Sequence, residues 1–288
     1  MDTLERRTLA IRAAQSIARD YGIPSSAPRI LKDTNHTIVH LLPSPIVAKV
    51  STKKIFRCRS SSLEKEVNVA GLLASSGAPV VQPATSPPPG PHHVDGLDLT
   101  FWNYCEADAT HPIHSQELGK ALRAVHDTLD NLRGSLPTLP SFKMQLDEVD
   151  ELLRSPTAVP QLPTEDRVFL RSLHRTVVED IDAKVVENRP LHGECGPHQT
   201  LSTSTGLVWL DFEAACLGPR EWDLAGLDSK AVKSYGSVDR SLLSLLKTAR
   251  LLCVVTWCWT QPDRDPEVRE AAEYHLRGLK RRARVGSR

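Results

Sequence analysis

The chain has 288 residues, 40% of them hydrophobic and 25% charged, which suits one large domain or two lobes around a core and excludes wholesale disorder. With 36 Lys and Arg against 35 Asp and Glu, there is no net field to draw a nucleic acid or another polyanion. Six cysteines, Cys58, Cys105, Cys195, Cys216, Cys253 and Cys258, are scattered without a C-x-x-C pair, which favours a reduced, cytoplasmic chain over a disulfide framework.

The opening MDTLERRTLAIRAAQ is amphipathic and carries acids beside its arginines, without the apolar run of a signal peptide. Helical spacing over residues 4–20 predicts a helix that YGIPSSAP ends. Residues 28–104 read as strands. Ile38 to Leu42 and Ile46 to Val50 are β-rich runs separated by Pro43 and Pro45, a hairpin signature. SSLEKEVNVAGLLASSGAPV then predicts one helix, with Ser61 or Ser62 as N-cap and Gly77 as its stop. Val80-Val81 and Leu97 to Trp102 read as two further strands. TSPPPGPHHVDG between them reads as an exposed excursion.

From Ser115 the pattern becomes helical, with Leu118, Leu122, Val125, Leu129 and Leu132 on one face. Further helices are predicted at 143–154, 164–187, 239–259 and 266–284. Within 189–213, short β-like pieces (Pro190 to His192 and Gly206 to Asp211) flank a polar loop. The longest apolar run, LLCVVTWCWT from Leu251, is ten residues, which predicts a buried helix and no membrane span. The basic HLRGLKRRARVGSR reads as a solvated helix end. The expectation is an α+β chain. Residues 1–104 form a small β-rich N-terminal lobe with one helix besides the one at 4–20, and 105–288 a larger helical lobe containing the loop 189–213.

Several residues carry chemistry. Lys49 sits in the apolar strand IVAKV, where a charge is costly unless paired or facing a cleft. Glu66 follows 17 residues later on the predicted helix. The loop RPLHGECGPHQTL holds His192, Glu194, Cys195, His198 and Gln199; Asp211 closes the strand GLVWLD, and Glu213 follows. Phosphoryl transfer from a nucleotide needs a cation on the phosphates, hard oxygen ligands for Mg²⁺ and a base beside the acceptor hydroxyl. Each has a candidate here. A zinc site is the weaker reading, because the H-x-E start lacks the P-C-x-x-C of zinc deaminases and no second ligand pair lies nearby. A cysteine nucleophile lacks any local base.

HGECGPHQTLSTSTGLVWLDFEAACLGPREWDLAGL resembles the catalytic segment of the aminoglycoside phosphotransferase-like kinases. Their pattern is H-G-D-x-H-x-x-N, a strand ending in D-[FW]-[ED], then a W/Y-D-L-A turn. The resemblance implies a protein-kinase-like bilobal fold and an ATP-dependent phosphotransferase. ATP or GTP with Mg²⁺ would be its cofactors, and a small hydroxylated molecule its second partner. It implies Lys49 on the phosphates with Glu66 as helix partner, Glu64 competing. It matches the turn LKDTNHTIVHLL, with Asn35 and Thr37, to the nucleotide-covering loop, and Phe101, Trp102, Asn103, Tyr104 and Cys105 to the hinge that meets adenine. Glu194 matches the catalytic aspartate, Gln199 the metal-binding asparagine and Asp211 the metal carboxylate, with Glu213 beside it. His192 and Asp223 match structural supports of the loop.

Two departures stand out. Glu194 and Gln199 replace the family's Asp and Asn, and Gly196 stands where the family has a second histidine. Each longer side chain moves its functional group by about one C–C bond, and a misplacement of ~1 Å can lower rate on the order of 10²-fold. Either the loop is set back to compensate, or the site is slow, or the protein binds nucleotide without transfer. The acceptor walls are placed at 140–175 and 228–262 and are not read as demanding a polycationic aminoglycoside.

Overall fold

A computed structural model describes residues 3–52, 62–184, 187–260 and 266–286; Cys58 and Ser61 lie outside the described residues. Among these, the chain divides into two compact units. The first holds the chain up to Thr138 together with Pro197–Ala214; the second holds Leu139–Gly196 together with the chain from Ala215.

The first unit is built on an antiparallel sheet of β1 (Arg29–Asp33), β2 (Thr37–His40), β3 (Ile46–Val50), β4 (His92–Val94) and β5 (Leu97–Asn103), in the order β1-β2-β3-β5-β4. Because strand side chains alternate faces, β3 presents Ile46, Ala48 and Val50 to one side. There they pack with Val39, Leu41, Leu99 and Phe101 against Ala10, Ala14 and Ala18 of α1 (Thr3–Asp20). The small alanines let the helix approach the sheet closely. Lys49 is therefore turned to the opposite face, paired in register with Ile38 of β2 and Thr100 of β5. Helix α2 (Leu63–Ser75) starts at Ser62, whose side chain accepts from the Lys65 N–H at 3.3 Å, and stops at Gly77 with φ +77. Helix α3 (Ser115–Asn131) buries Leu118, Leu122, Val125 and Leu129, as the 3.6-residue period predicts.

The hairpin β7 (Thr200–Thr203) and β8 (Gly206–Trp209) completes this unit. Trp209 accepts from Val81 and donates to Pro79 through its backbone, so the predicted strand at Val80-Val81 is a single bridge onto Trp209. The Pro-rich excursion also differs from expectation, because His92–Val94 pairs with β5. Asp95 and Gly96, both at positive φ (52 and 74), form the kind of two-residue turn whose twist matches a hairpin.

In the second unit, α4 (Lys143–Arg154), α5 (Thr164–Asp182), α8 (Arg240–Thr260) and α9 (Pro266–Gly286) pack around Leu146, Leu170, Val177, Leu246 and Leu252. Strands β6 (Arg189–Leu191) and β9 (Cys216–Gly218) pair antiparallel, followed by the short helices α6 (Arg220–Leu224) and α7 (Ser229–Tyr235). Helix α5 ends at Asp182 and not at 187. Asp180 and Asp182 crowd its last turn without a basic residue, a charge pattern that opposes the helix dipole. Helix α8 is long and apolar enough to cross a membrane by length and composition, but Leu242, Leu246, Ala249, Leu252 and Val255 are buried in the core of this unit.

Candidate active site

The first unit gathers one ammonium and three carboxylates. Lys49 Nζ lies 2.8 Å from each oxygen of Glu66, 2.8 Å from Asp211 Oδ1 and 2.5 Å from Glu213 Oε1. Three different elements deliver these acids. Glu66 comes from the first turn of α2 and is 2% exposed, whereas Glu64 points to solvent. Asp211 follows β8 at φ 72, a left-handed conformation that Asp tolerates better than most residues. There the chain leaves the strand and enters the 3₁₀ turn Phe212–Ala214, which holds Glu213. The Ser62 N–H donates to the Glu213 carbonyl at 3.3 Å, tying the start of α2 to that turn.

Charge governs the protonation of this cluster. Burial first, with Glu213 and Asp211 adding to it against the pull of Lys49, pushes the Glu66 carboxyl up to about 8. Burial also raises the Asp211 carboxyl, but Lys49 outweighs it and holds the group below the ordinary carboxylate range. Lys49 itself would lose its proton more readily from burial alone; Asp211, Glu66 and Glu213 hold it firmly protonated. Three acids crowd one buried ammonium and raise one another, a repulsion that a divalent cation would relieve.

One carboxylate oxygen from each of Glu66, Asp211 and Glu213 lies within 4.8 Å of the others. Gln199, which is 5% exposed, directs its Oε1 to no hydrogen-bond donor among the described residues. Its backbone carbonyl accepts from Leu210 at 2.9 Å, so the β7–β8 register sets Gln199 beside the residue that precedes Asp211. The three grouped carboxylates are a hard all-oxygen donor set, which fits Mg²⁺.

The turn between β1 and β2 contributes a residue that sequence reasoning missed. His36, 7% exposed, places Nε2 2.5 Å from Glu213 Oε1. Thr37 is buried and braces the turn through Asp33 at 3.1 Å and Thr52 at 2.7 Å, while Asn35 is exposed at the tip. At the hinge, Phe101 points into the core beneath α1, and Trp102 lies on the Lys49 face with its Nε1 donating to Thr100. The N–H groups of Phe101, Asn103 and Tyr104 already donate to Pro89, Gln82 and Pro45 at 2.9 Å, and the Tyr104 ring stacks on His40.

The second unit holds His192 and Glu194 on a loop clamped from several sides. Asp223 of α6 accepts from the N–H groups of His192 and Gly193, each at 2.8 Å. The Gly193 carbonyl accepts from Gln145 Nε2, Trp222 Nε1 and Arg250 Nη1, each at 3.2 Å. His192 is fully buried and its Nδ1 accepts from the Glu194 N–H at 3.4 Å. Gly226 packs so closely that a Cβ there would lie 2.1 Å from the Cys195 carbonyl oxygen. Burial, reinforced by Asp223, pushes the Cys195 thiol well above its usual range, which removes it as a nucleophile. Glu194 keeps a side-chain exposure of 42% and lies 3.5 Å from Arg250. Arg250 and Gln145 were not singled out from sequence. An arginine inside TARLLCVVTW was the available signal, because a cation in an apolar helix run needs a partner.

No curated protein sequence matches the chain, but solved structures do. An aminopropanol kinase associated with a microcompartment superimposes with TM-score 0.74 at 13% identity, covering 96% of this chain and 98% of that one. A choline/ethanolamine kinase family protein from Mesorhizobium loti gives 0.65 at 17%, covering 93% and 94%. Amicoumacin kinase hAmiN, in complex with AMP-PNP, Ca²⁺ and Ami, gives 0.69 at 11%, covering 95% of both chains. At these identities the likeness establishes the fold, a protein-kinase-like one. The model of the phosphotransferase enzyme family, APH, matches residues 48–233. That match begins one residue before Lys49 and runs past Asp223, and the chain belongs to the phosphotransferase enzyme family.

Proposed function

We propose that the protein transfers the γ-phosphoryl group of ATP to a hydroxyl of a small molecule. The observation that carries this reading is the Lys49 ammonium held at 2.8 Å by both Glu66 and Asp211. A buried lysine so tethered is a fixed cation for nucleotide phosphates. Asp211, Gln199 and Glu213 would hold Mg²⁺, which when bound neutralises charge on the phosphate oxygens. Glu194 accepts the proton of the acceptor hydroxyl. That oxygen forms a bond to the γ-phosphorus as the bond to the bridging oxygen breaks, and ADP leaves with the electron pair. Catalysis is then mostly positioning and charge stabilisation.

Structures of this fold are named for choline, ethanolamine and aminopropanol, and others for aminoglycosides, so both classes belong in the test. A second reading, nucleotide binding without transfer, rests on Glu194 and Gln199 standing where the family pattern has Asp and Asn. Thermal-shift titration with ATP, with and without Mg²⁺, tests nucleotide binding. Phosphate transfer to choline, ethanolamine, aminopropanol and an aminoglycoside separates the two readings. Stabilisation by ATP that Mg²⁺ strengthens, with turnover on one alcohol, supports transfer. Stabilisation without turnover on the panel supports the second reading, and no stabilisation overturns both.

A further inference from the structure

We propose that Arg250 is a positioning residue that fixes the reach of Glu194, so that the longer carboxylate arm and the arginine work as a matched pair. The inference deepens the reading of Glu194 as the base and rests on it. The backbone around Glu194 has little freedom to shift. Asp223 holds two successive N–H groups before it, three donors converge on the Gly193 carbonyl, and the Cys195 carbonyl abuts the Gly226 α-carbon. Setting the loop back by the length of a methylene would break several of these bonds together. The reach of residue 194 is therefore decided by its side chain, and a glutamate has one more torsion to order than an aspartate.

Arg250 supplies that order. Its guanidinium is itself anchored: Nη1 donates to Gln145 Oε1 at 2.8 Å and to the Gly193 carbonyl at 3.2 Å. The plane lies over the rings of Trp222 and Trp257, 5.4 and 5.5 Å from their centroids. The residue is 7% exposed. A buried cation with its fork fixed at one end offers its other nitrogen, Nη2, at 3.5 Å from Glu194 Oε1. One arginine thus spans the loop backbone and the base, a geometry that a lysine with a single ammonium cannot reproduce. A shorter aspartate at 194 would fall away from this hold.

The test is a mutant cycle on the full chain, measuring kcat and KM for Mg-ATP with the best alcohol of the panel. Arg250→Gln is expected to lower kcat by about 10- to 100-fold with KM for ATP unchanged. In the Glu194→Asp background the same change is expected to lower kcat less than about 2-fold, because the pair is already broken. Equal losses in both backgrounds would overturn the proposal and leave Arg250 as a support of the Gly193 carbonyl. Arg250→Lys, which keeps the charge and most of the volume, serves if the glutamine variant fails to fold, and the same non-additivity is expected of it. Wild-type turnover in Glu194→Ala would instead remove the base reading on which the pair depends. If no alcohol turns over, ¹³C NMR of the glutamate carboxyls decides. The Glu194 signal, identified by its absence in Glu194→Gln, should titrate at higher pH in Arg250→Gln than in the native protein, since a neighbouring cation favours the carboxylate. An unmoved midpoint would overturn the proposal.

Discussion

Lys49 and Asp211 are 162 positions apart in the chain, and Nζ of one meets Oδ1 of the other at 2.8 Å. The contact depends on β3 turning Lys49 away from the α1 core and on Asp211 leaving β8 in a left-handed conformation. Glu66 completes the grip from α2. Pairing this buried lysine offsets a desolvation cost of several kcal/mol per ion, so loss of one partner is felt strongly.

The two acids at the start of α2 should separate cleanly. Glu66→Ala should weaken ATP binding by about 10- to 100-fold, the equivalent of a charge-assisted hydrogen bond. Glu64→Ala, on the exposed side of the same turn, should leave it unchanged. Isothermal titration of ATP into each variant checks both outcomes.

Gln199 should behave as a residue kept for binding. Its buried Oε1 has no donor among the described residues, so Gln199→Leu removes an unmet acceptor and should leave the melting temperature without nucleotide equal or higher, by up to ~1 kcal/mol of stability. The same variant should lose most of the extra stabilisation that Mg²⁺ adds to ATP. A lower melting temperature with the Mg²⁺ effect intact would assign the side chain to packing.

The clip between α1 and β1 should be pH-dependent. Asp33 is paired with Arg6 at 2.7 Å and Arg7 at 2.9 Å. Burial would raise its carboxyl, but Arg6, Arg7 and Thr37 together lower it to about 2. A folded pKa below the unfolded one gives stability that is complete above pH ~4 and is lost as pH falls toward ~2, amounting to about 2 kcal/mol. Chemical denaturation of Asp33→Asn and the native chain should show a gap at pH 7 that narrows from pH 4 downward. A gap of constant size would contradict the assignment.

Gly226→Ala should strain the loop that carries Glu194. Its Cβ would sit 2.1 Å from a backbone oxygen, so the backbone at Cys195 must move, at a cost of about 1–3 kcal/mol. Turnover should fall more than ATP affinity does, since Lys49, Glu66 and Asp211 lie on other elements. Stopped-time assays and denaturation of the one variant measure both effects.

Much of this was legible in the sequence. A lysine in IVAKV, a capped helix 13 residues later and a carboxylate closing GLVWLD each carry a local signature. The resemblance of the segment from His192 to Leu227 set them in order. What stayed hidden depends on tertiary placement. The contact of His36 with Glu213 needs the β1–β2 turn to fold over an acid 177 positions on. Strand β7 is short and polar, β9 is only three residues long, and β4 was masked by the prolines around it. Arg250 lay inside a helix that was correctly placed, but no pattern within one helix names the loop that its fork will meet. The three possibilities opened by the longer side chains were also unreadable, because loop rigidity comes from Asp223, Gln145, Trp222 and Gly226 together.

The most direct measurement is ³¹P NMR of Mg-ATP with the alcohol panel, comparing the native chain with Asp211→Ala. The account predicts ADP and a new phosphomonoester signal with the native chain, and neither with the variant. ATP consumption that persists unchanged in Asp211→Ala would contradict the account.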